Sequence, residues 1–372
     1  MIKPTNIDLH KGAEDTESEL YARLLKKPAY PINSLLRQYL KQFGREVKLP
    51  VRYDDLLRMQ YSLALKDKHG KDTEWEKVIY DMREWEYLKE GLIAIYAILK
   101  TKGDPAFSRH LDVESIDFCP FGNSNPFRIK IINKLNQNYD HFYIKKADAS
   151  RIYGLELEHL LSPHRLTYFT YQQTLIEEHI PGIPGDIFIQ KHLHHPDTNQ
   201  VRLAKEFVKF NERCFIRLLG DMRSYNYVVN MMPDVADFQY RVRAIDFDQQ
   251  CYEGRINLYR PQFFKENLPV VQMVMQVLDP DSIEQYQVEE RTLMASRVVI
   301  IRHRLLDLFN IMSQDEISTK EKIYQLKHEL AHCLQNTKYL DCKSMGDVLK
   351  TNLRHLLRKN LARIQEAKQQ YA

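Results

Sequence analysis

The stretch VESIDFCPFGNSNPFRIKIINKLNQNYDHFYIKKAD, residues 113–148, decides the fold class. Within it FRIKIIN (127–133) alternates apolar and charged side chains at period two, as a half-buried strand does. The flanking segments GNSNP (122–126) and KLNQNYD (134–140) have turn composition, so 113–121 and 141–148 read as two further strands. A helix-like segment, ASRIYGLELEHLLSP, follows and stops at Pro163. Two short strands, RLTYFTY and QTLIEEHI, come next, and PGIPG (181–185) makes a hinge. Three strands, a helix, two strands and a hinge make this an α+β chain.

Toward the N-terminus, residues 15–103 read as helices. TESELYARLLKKP opens with a capping box, Thr16 followed three positions on by Glu19. INSLLRQYLKQFG stops at Gly44, and RYDDLLRMQYSLALKD and the long segment from Glu74 to Gly103 continue the apolar spacing of helices. Gly103 and Pro105 mark a linker. The expected organisation is a helical extension over 1–108, a strand-rich unit over 109–181 and a helical unit over 182–372. In the last unit VRLAKEFVKFNERCFIRLLG (201–220) is amphipathic and delivers Asp221. YVVNM and YRVRAIDF then form a strand pair, and everything beyond about residue 268 reads as helix.

Composition narrows the function classes. The 372 residues carry a formal charge of only +4, with acids and bases interleaved, which argues against a dedicated nucleic-acid binder. Five cysteines at 119, 214, 251, 333 and 342 are scattered without a CxxC pair, as expected of reduced thiols rather than a disulfide or zinc framework. No apolar run reaches the ~20 residues that cross a bilayer, and MIKPTNIDLHKGAED is too polar for a signal peptide. A soluble, cytoplasmic protein without a membrane partner is expected.

The chemistry-bearing residues fall in a fixed order. Asp221 and Asn226 stand five positions apart in GDMRSYN, and AIDFD places Asp246 and Asp248 at the end of the next strand pair. YIKK carries Lys145 and Lys146 at the end of a strand, and LIEEHIPG leads into the hinge. This order resembles the protein-kinase-like superfamily, and within it the aminoglycoside-phosphotransferase and choline-kinase type. The likeness runs element by element over about residues 113–250, is looser over the C-terminal helices and is absent from the N-terminal region.

The resemblance implies a two-lobed fold, a small strand-rich lobe with one helix and a helical lobe, preceded by an all-α region. It also implies ATP and Mg2+, with phosphoryl transfer to a hydroxyl acceptor, a small molecule before a protein. Such transfer needs the triphosphate aligned, its charge neutralised and a hydroxyl held in line. By carry-over Asp221 orients or accepts the acceptor proton, and Arg223 faces the transferring phosphate. Asn226 and Asp246 are hard-oxygen metal ligands. Asp248, two residues on and so on the same side of an extended chain, is a further ligand or a solvated strand end. Lys145, or Lys146 on the other face, contacts phosphate and pairs with Glu156 or Glu158 of the following helix. Backbone groups around Glu178, His179 and Ile180 hold the adenine, and Ser124 with the neighbouring amides covers phosphate.

Three departures stand out. Leu219 replaces the histidine that precedes the glycine of the catalytic loop, the phosphate-covering turn FGNSNPF has one glycine, and QQCYEGRINLYRPQFF lacks the Ala-Pro-Glu signature of an activation segment. A catalytically inactive nucleotide-binding or scaffold protein is the alternative, with the N-terminal helices as a partner or dimer surface.

A rival motif is HELAH, 328–332. His328 and His332 share a helical face with Glu329 beside them, the zinc-peptidase pattern. The third ligand is unspecified, with Asp347 and Glu366 as candidates. Exposed histidines four apart on a helix are the plainer reading, and the cluster KHLHHPD (191–197) reads as surface.

Overall fold

In the computed structural model of the chain, residues 27–370 are described, apart from 102 and 236. The Thr16–Glu19 capping box lies outside them. The fold is α+β, built on a seven-stranded antiparallel sheet in the order β1-β2-β3-β4-β5-β7-β6. Its central strands are those expected from alternation: β3 (Leu111–Phe118), β4 (Phe127–Asn133) and β5 (Tyr139–Lys146). Helix α5 (Ala149–Leu161) leads on to β6 (Tyr168–Tyr171) and β7 (Thr174–Glu178).

The N-terminal region is not all helical. The segment expected to form two helices instead contains a hairpin, β1 (Tyr61–Lys66) and β2 (Asp72–Ile79), which extends the sheet beyond β3. Its turn is set locally: Asp67 accepts from the amides of His69 and Lys71, and Gly70 takes φ +80°. Helix α3 (Met82–Thr101) starts only after Asp81, whose carboxylate accepts from the Glu84 amide.

The helices of this region bury their apolar faces inside the chain. Leu88, Leu92, Ile95 and Leu99 of α3 share one core with Phe127, Ile129 and Ile131 of β4 and Phe142 and Ile144 of β5. Helix α1 (Ser34–Gln42), capped by Asn33, sends Leu36, Tyr39 and Leu40 into a second core. That core holds α5, α7 (Gln200–Arg217) and the C-terminal helices α9 (Pro280–Ile300), α10 (Arg302–Met312), α11 (Lys320–Cys333) and α12 (Met345–Gln370). A three-stranded sheet, β10 (Phe238–Ala244), β9 (Tyr227–Pro233) and β8 (Ile183–Pro184), takes its edge strand β8 from the hinge segment. Helices α2 (Tyr53–Leu56), α4 (Pro105–Ser108), α6 (Gly185–Lys191) and α8 (Leu268–Val277) complete the series, and among the described residues no helix is long and apolar enough to cross a membrane.

Helix α5 is buried almost all round, so its charged residues need partners. Glu158 pairs with the buried Arg217 of α7. Glu156 accepts from Tyr39 of α1 at 2.7 Å, Tyr168 of β6 at 2.6 Å and Arg304 of α10 at 2.5 Å, with Arg45 3.5 Å away. One carboxylate thus joins four elements.

His164, just beyond α5, gives a pH prediction. Burial, helped by the Arg213 charge, pushes it down to about 3. Between that value and ~6.5 the unfolded chain holds a proton there that the folded chain does not, so stability is full above ~6.5 and declines on acidification. Urea midpoints should fall between pH 6 and 4, with His164 contributing on the order of 1 kcal/mol per pH unit. His164→Gln should reduce that slope, to which His141 and His159, both pushed down to about 4 by burial, also contribute; an unchanged slope would show that His164 does not couple folding to pH.

Candidate functional site

Alternation along β5 turns Phe142 and Ile144 into the core and Tyr143 and Lys145 to the opposite face. Lys146 is exposed, so Lys145 is the lysine facing the cleft. Strand β7 is registered so that Tyr143 lies opposite Glu177 and Lys145 opposite Leu175. Glu177 is therefore the diagonal neighbour of Lys145, and their side chains meet at 2.7 Å. Burial, reinforced by the nearby Arg151 charge, pushes the Lys145 ammonium below the usual lysine range.

The expected partnership of Lys145 with Glu156 or Glu158 does not form, because both glutamates are bound elsewhere. For Glu156 the reason is helical phase: the residue of α5 that faces the cleft is Arg151, and Glu156, five positions on, is rotated by about 140° at 3.6 residues per turn. Glu158, two turns on, returns to nearly the same face but lies about 10 Å farther along the axis, where Arg217 takes it. Arg151 is 3% exposed and uses its whole guanidinium. Nε donates to Asp248 Oδ1 at 2.6 Å and one Nη to Asp246 Oδ1 at 2.6 Å. The other Nη donates to Glu177 at 3.0 and 3.2 Å.

Helix α5 is clamped against the aspartate segment. The Ser150 hydroxyl donates to the carbonyls of Gln250 at 2.7 Å and Asp248 at 3.2 Å. A Cβ on Gly154 would stand 2.9 Å from that of Phe247, so only glycine permits this approach. The Arg151 amide is itself capped by Asp148.

The catalytic-loop candidates arrive on the far wall. Helix α7 ends in a left-handed Leu218, and Asp221 is also left-handed at φ 58°. Asp221 accepts from Arg223 Nε at 2.9 Å and lies 3.4 Å from the Asn226 amide nitrogen, which also donates to the Asp221 carbonyl. Burial, opposed by Arg223, pushes the Asp221 carboxyl above the usual range. Arg223 is shared with Glu266 at 2.7 Å and covers the Phe264 ring.

These walls enclose a cleft of about 510 Å³, within the range of small-molecule sites. Lys145, Arg151, Asp246 and Asp248 form its charged part, with Ser124 in the turn above and Asn226 on the opposite wall. Ile180, Val228 and Ile245 supply an apolar part. Glu178, His179 and Ile180 also line it. The ladder ends at Glu178, whose side chain accepts from the Thr167 amide, and His179 Nδ1 lies 3.3 Å from the Tyr143 hydroxyl. Asp221 and Arg223 are not among the lining residues; Asp221 reaches the cleft only through its contact with Asn226.

The donor set fits a magnesium ion bound with a phosphate ligand. Asn226 and Asp246 offer hard oxygens on the cleft wall, and Mg2+ commonly takes one or two carboxylates and fills its octahedron with phosphate and water. HELAH does not make a comparable site. His328 and His332 are exposed, and the His328 ring lies 4.2 Å from that of Tyr324. Glu329 accepts from the Ile256 amide, and Asp347 from the amides of Lys343 and Ser344. Among the described residues no group of three or more His, Cys, Asp or Glu is placed to hold a metal.

Sequence reading missed Glu177 and Arg151. Glu177 was legible from strand pairing, as the cleft-facing residue diagonal to Lys145. Arg151 was legible as a charge in a helix with no polar face to carry it. No protein-family model matches the chain, and no curated protein is similar to it at a significant level.

Proposed function

We propose that the chain is an ATP- and Mg2+-dependent phosphotransferase of the two-lobed, protein-kinase-like type, acting on a hydroxyl acceptor. The observation that carries this reading is a single cleft with two characters. Lys145, Asn226 and Asp246 gather on its charged side, and an apolar slot beside the hinge suits a purine. Bound magnesium would supply charge neutralisation at the phosphates, held by Asn226 and Asp246. Lys145, kept in place by Glu177, meets phosphate oxygens. Asp221 orients the acceptor hydroxyl and takes its proton, and Arg223 fixes the Asp221 carboxylate.

A small acceptor is favoured over a protein. After Asp248 the chain runs through short 3-10 turns at Ile256–Tyr259, Pro261–Phe263 and Lys265–Asn267, with Tyr259 and Asn267 buried, so no long substrate-docking segment projects.

The test is thermal unfolding with and without Mg-ATP. At ~100 times its dissociation constant a ligand stabilises the native state by about 2.7 kcal/mol. The expected result is a rise in Tm that needs magnesium and is lost in Asp246→Ala. One observation favours a second reading, an inactive nucleotide-binding scaffold: Arg151 already bridges both aspartates. A rise in Tm of equal size with ATP and EDTA would select that reading, and no rise with any nucleotide would reject both.

A further inference from the structure

We propose that Arg151 is a permanent occupant of one cation position in this cleft, so that the site takes a single divalent ion beside the nucleotide. This rests on the reading of the cleft as a nucleotide site.

The argument is geometric. A metal bridging Asp246 and Asp248 would draw an oxygen of each to ~2.0–2.1 Å for magnesium. Those two carboxylates already turn their Oδ1 atoms onto one guanidinium, each at 2.6 Å. The bridging position is thus filled by a group of like charge. The guanidinium does not ionise away, since arginine stays charged at any working pH. It has no room to swing out either, because its third side is held by Glu177 and α5 is clamped by Ser150 and Gly154.

What an ion can reach most openly is the second oxygen of Asp246 and the side-chain oxygen of Asn226. Neither accepts a hydrogen bond from the protein among the described residues, and both residues line the cleft. Two protein oxygens, completed by phosphate and water, suit one octahedral ion; the other aspartate oxygen without a protein hydrogen bond among the described residues, Asp248 Oδ2, belongs to a side chain only 7% exposed, against 28% for Asp246. Around the position, Lys145 and Arg151 face Glu177, Asp246 and Asp248, so the ring holds one negative charge in excess.

The experiment counts ions. Free Mn2+ is titrated by its electron paramagnetic resonance signal against the full chain at saturating imido-bridged ATP analogue, with analogue binding followed separately by calorimetry. The expected result is one tightly bound Mn2+ per wild-type chain. Arg151→Met should bind two, the second at least tenfold tighter than any second ion in the wild type.

Wild-type chain that binds the analogue with two Mn2+ overturns the proposal and leaves the nucleotide reading standing. Failure to bind the analogue at all removes that reading and the proposal with it. Arg151→Met that folds and still binds one Mn2+ shows that Arg151 does not hold the second position. Where that variant does not fold, the wild-type count decides, since it needs no substitution.

Discussion

Glu156→Ala is expected to destabilise the protein by about 3–5 kcal/mol, the cost typical of breaking a buried ion pair from one side. Glu156 is fully buried, and its removal strands Arg45, itself 8% exposed, together with the hydroxyls of Tyr39 and Tyr168. A native protein is stable by only about 5–15 kcal/mol, so the variant should show a large fall in urea midpoint or accumulate as insoluble chain. Glu156→Gln keeps an acceptor oxygen for one tyrosine and turns an amide donor toward the hydroxyl of the other, and should lose less. The two readings of this residue separate here. As the partner of the phosphate lysine, Glu156→Gln would lose the Mg-ATP shift. As the junction of α1, α5, β6 and α10, it should lose stability and keep the shift. A variant within 1 kcal/mol of wild type would mean that the junction contributes little.

Asp221→Asn is expected to lower the transfer rate by about 10²–10⁴, the range typical of a positioned general base, or about 3–5 kcal/mol of barrier. The substitution isolates charge from shape. Asp221 holds φ 58°, a left-handed conformation that asparagine tolerates and that β-branched residues do not. The side chain is half-buried, so Tm should change little while turnover collapses. Measurement needs an acceptor, and slow ATP hydrolysis serves until one is found. Equal hydrolysis by wild type and variant would remove Asp221 from the chemistry.

Much of the architecture was legible because local signals and burial agree. β4 alternates in sequence and in exposure, and α5 begins at Asp148 and ends before Pro163 as its caps dictate. The hairpin was not read because YSLALK is a strand with little burial: its apolar residues Tyr61 and Leu63 are both 55% exposed, so its pattern reports no core. Apolar spacing from Leu56 through Leu63 fits a helix as well. The decisive signals were smaller, the Asp67–Gly70 turn and the Asp81 cap. In the cleft, alternation alone left Lys145 and Lys146 as alternatives, and burial selects Lys145. Its partner was not legible, because the search ran along α5 for a carboxylate, whereas α5 turns Arg151 to the cleft and the carboxylate comes from β7.

Arg151 belongs to the helix packed in the helical core, whereas Glu177 lies on the sheet. The guanidinium is therefore a pin through two bodies. Any breathing of the cleft that parts the sheet from α5 must first pull Glu177 off that pin, so widening and the release of charge are one event. Bulk ions reach such a buried contact poorly. The rate at which the cleft exchanges its contents should then follow temperature and the occupant's own charge far more than the salt around it.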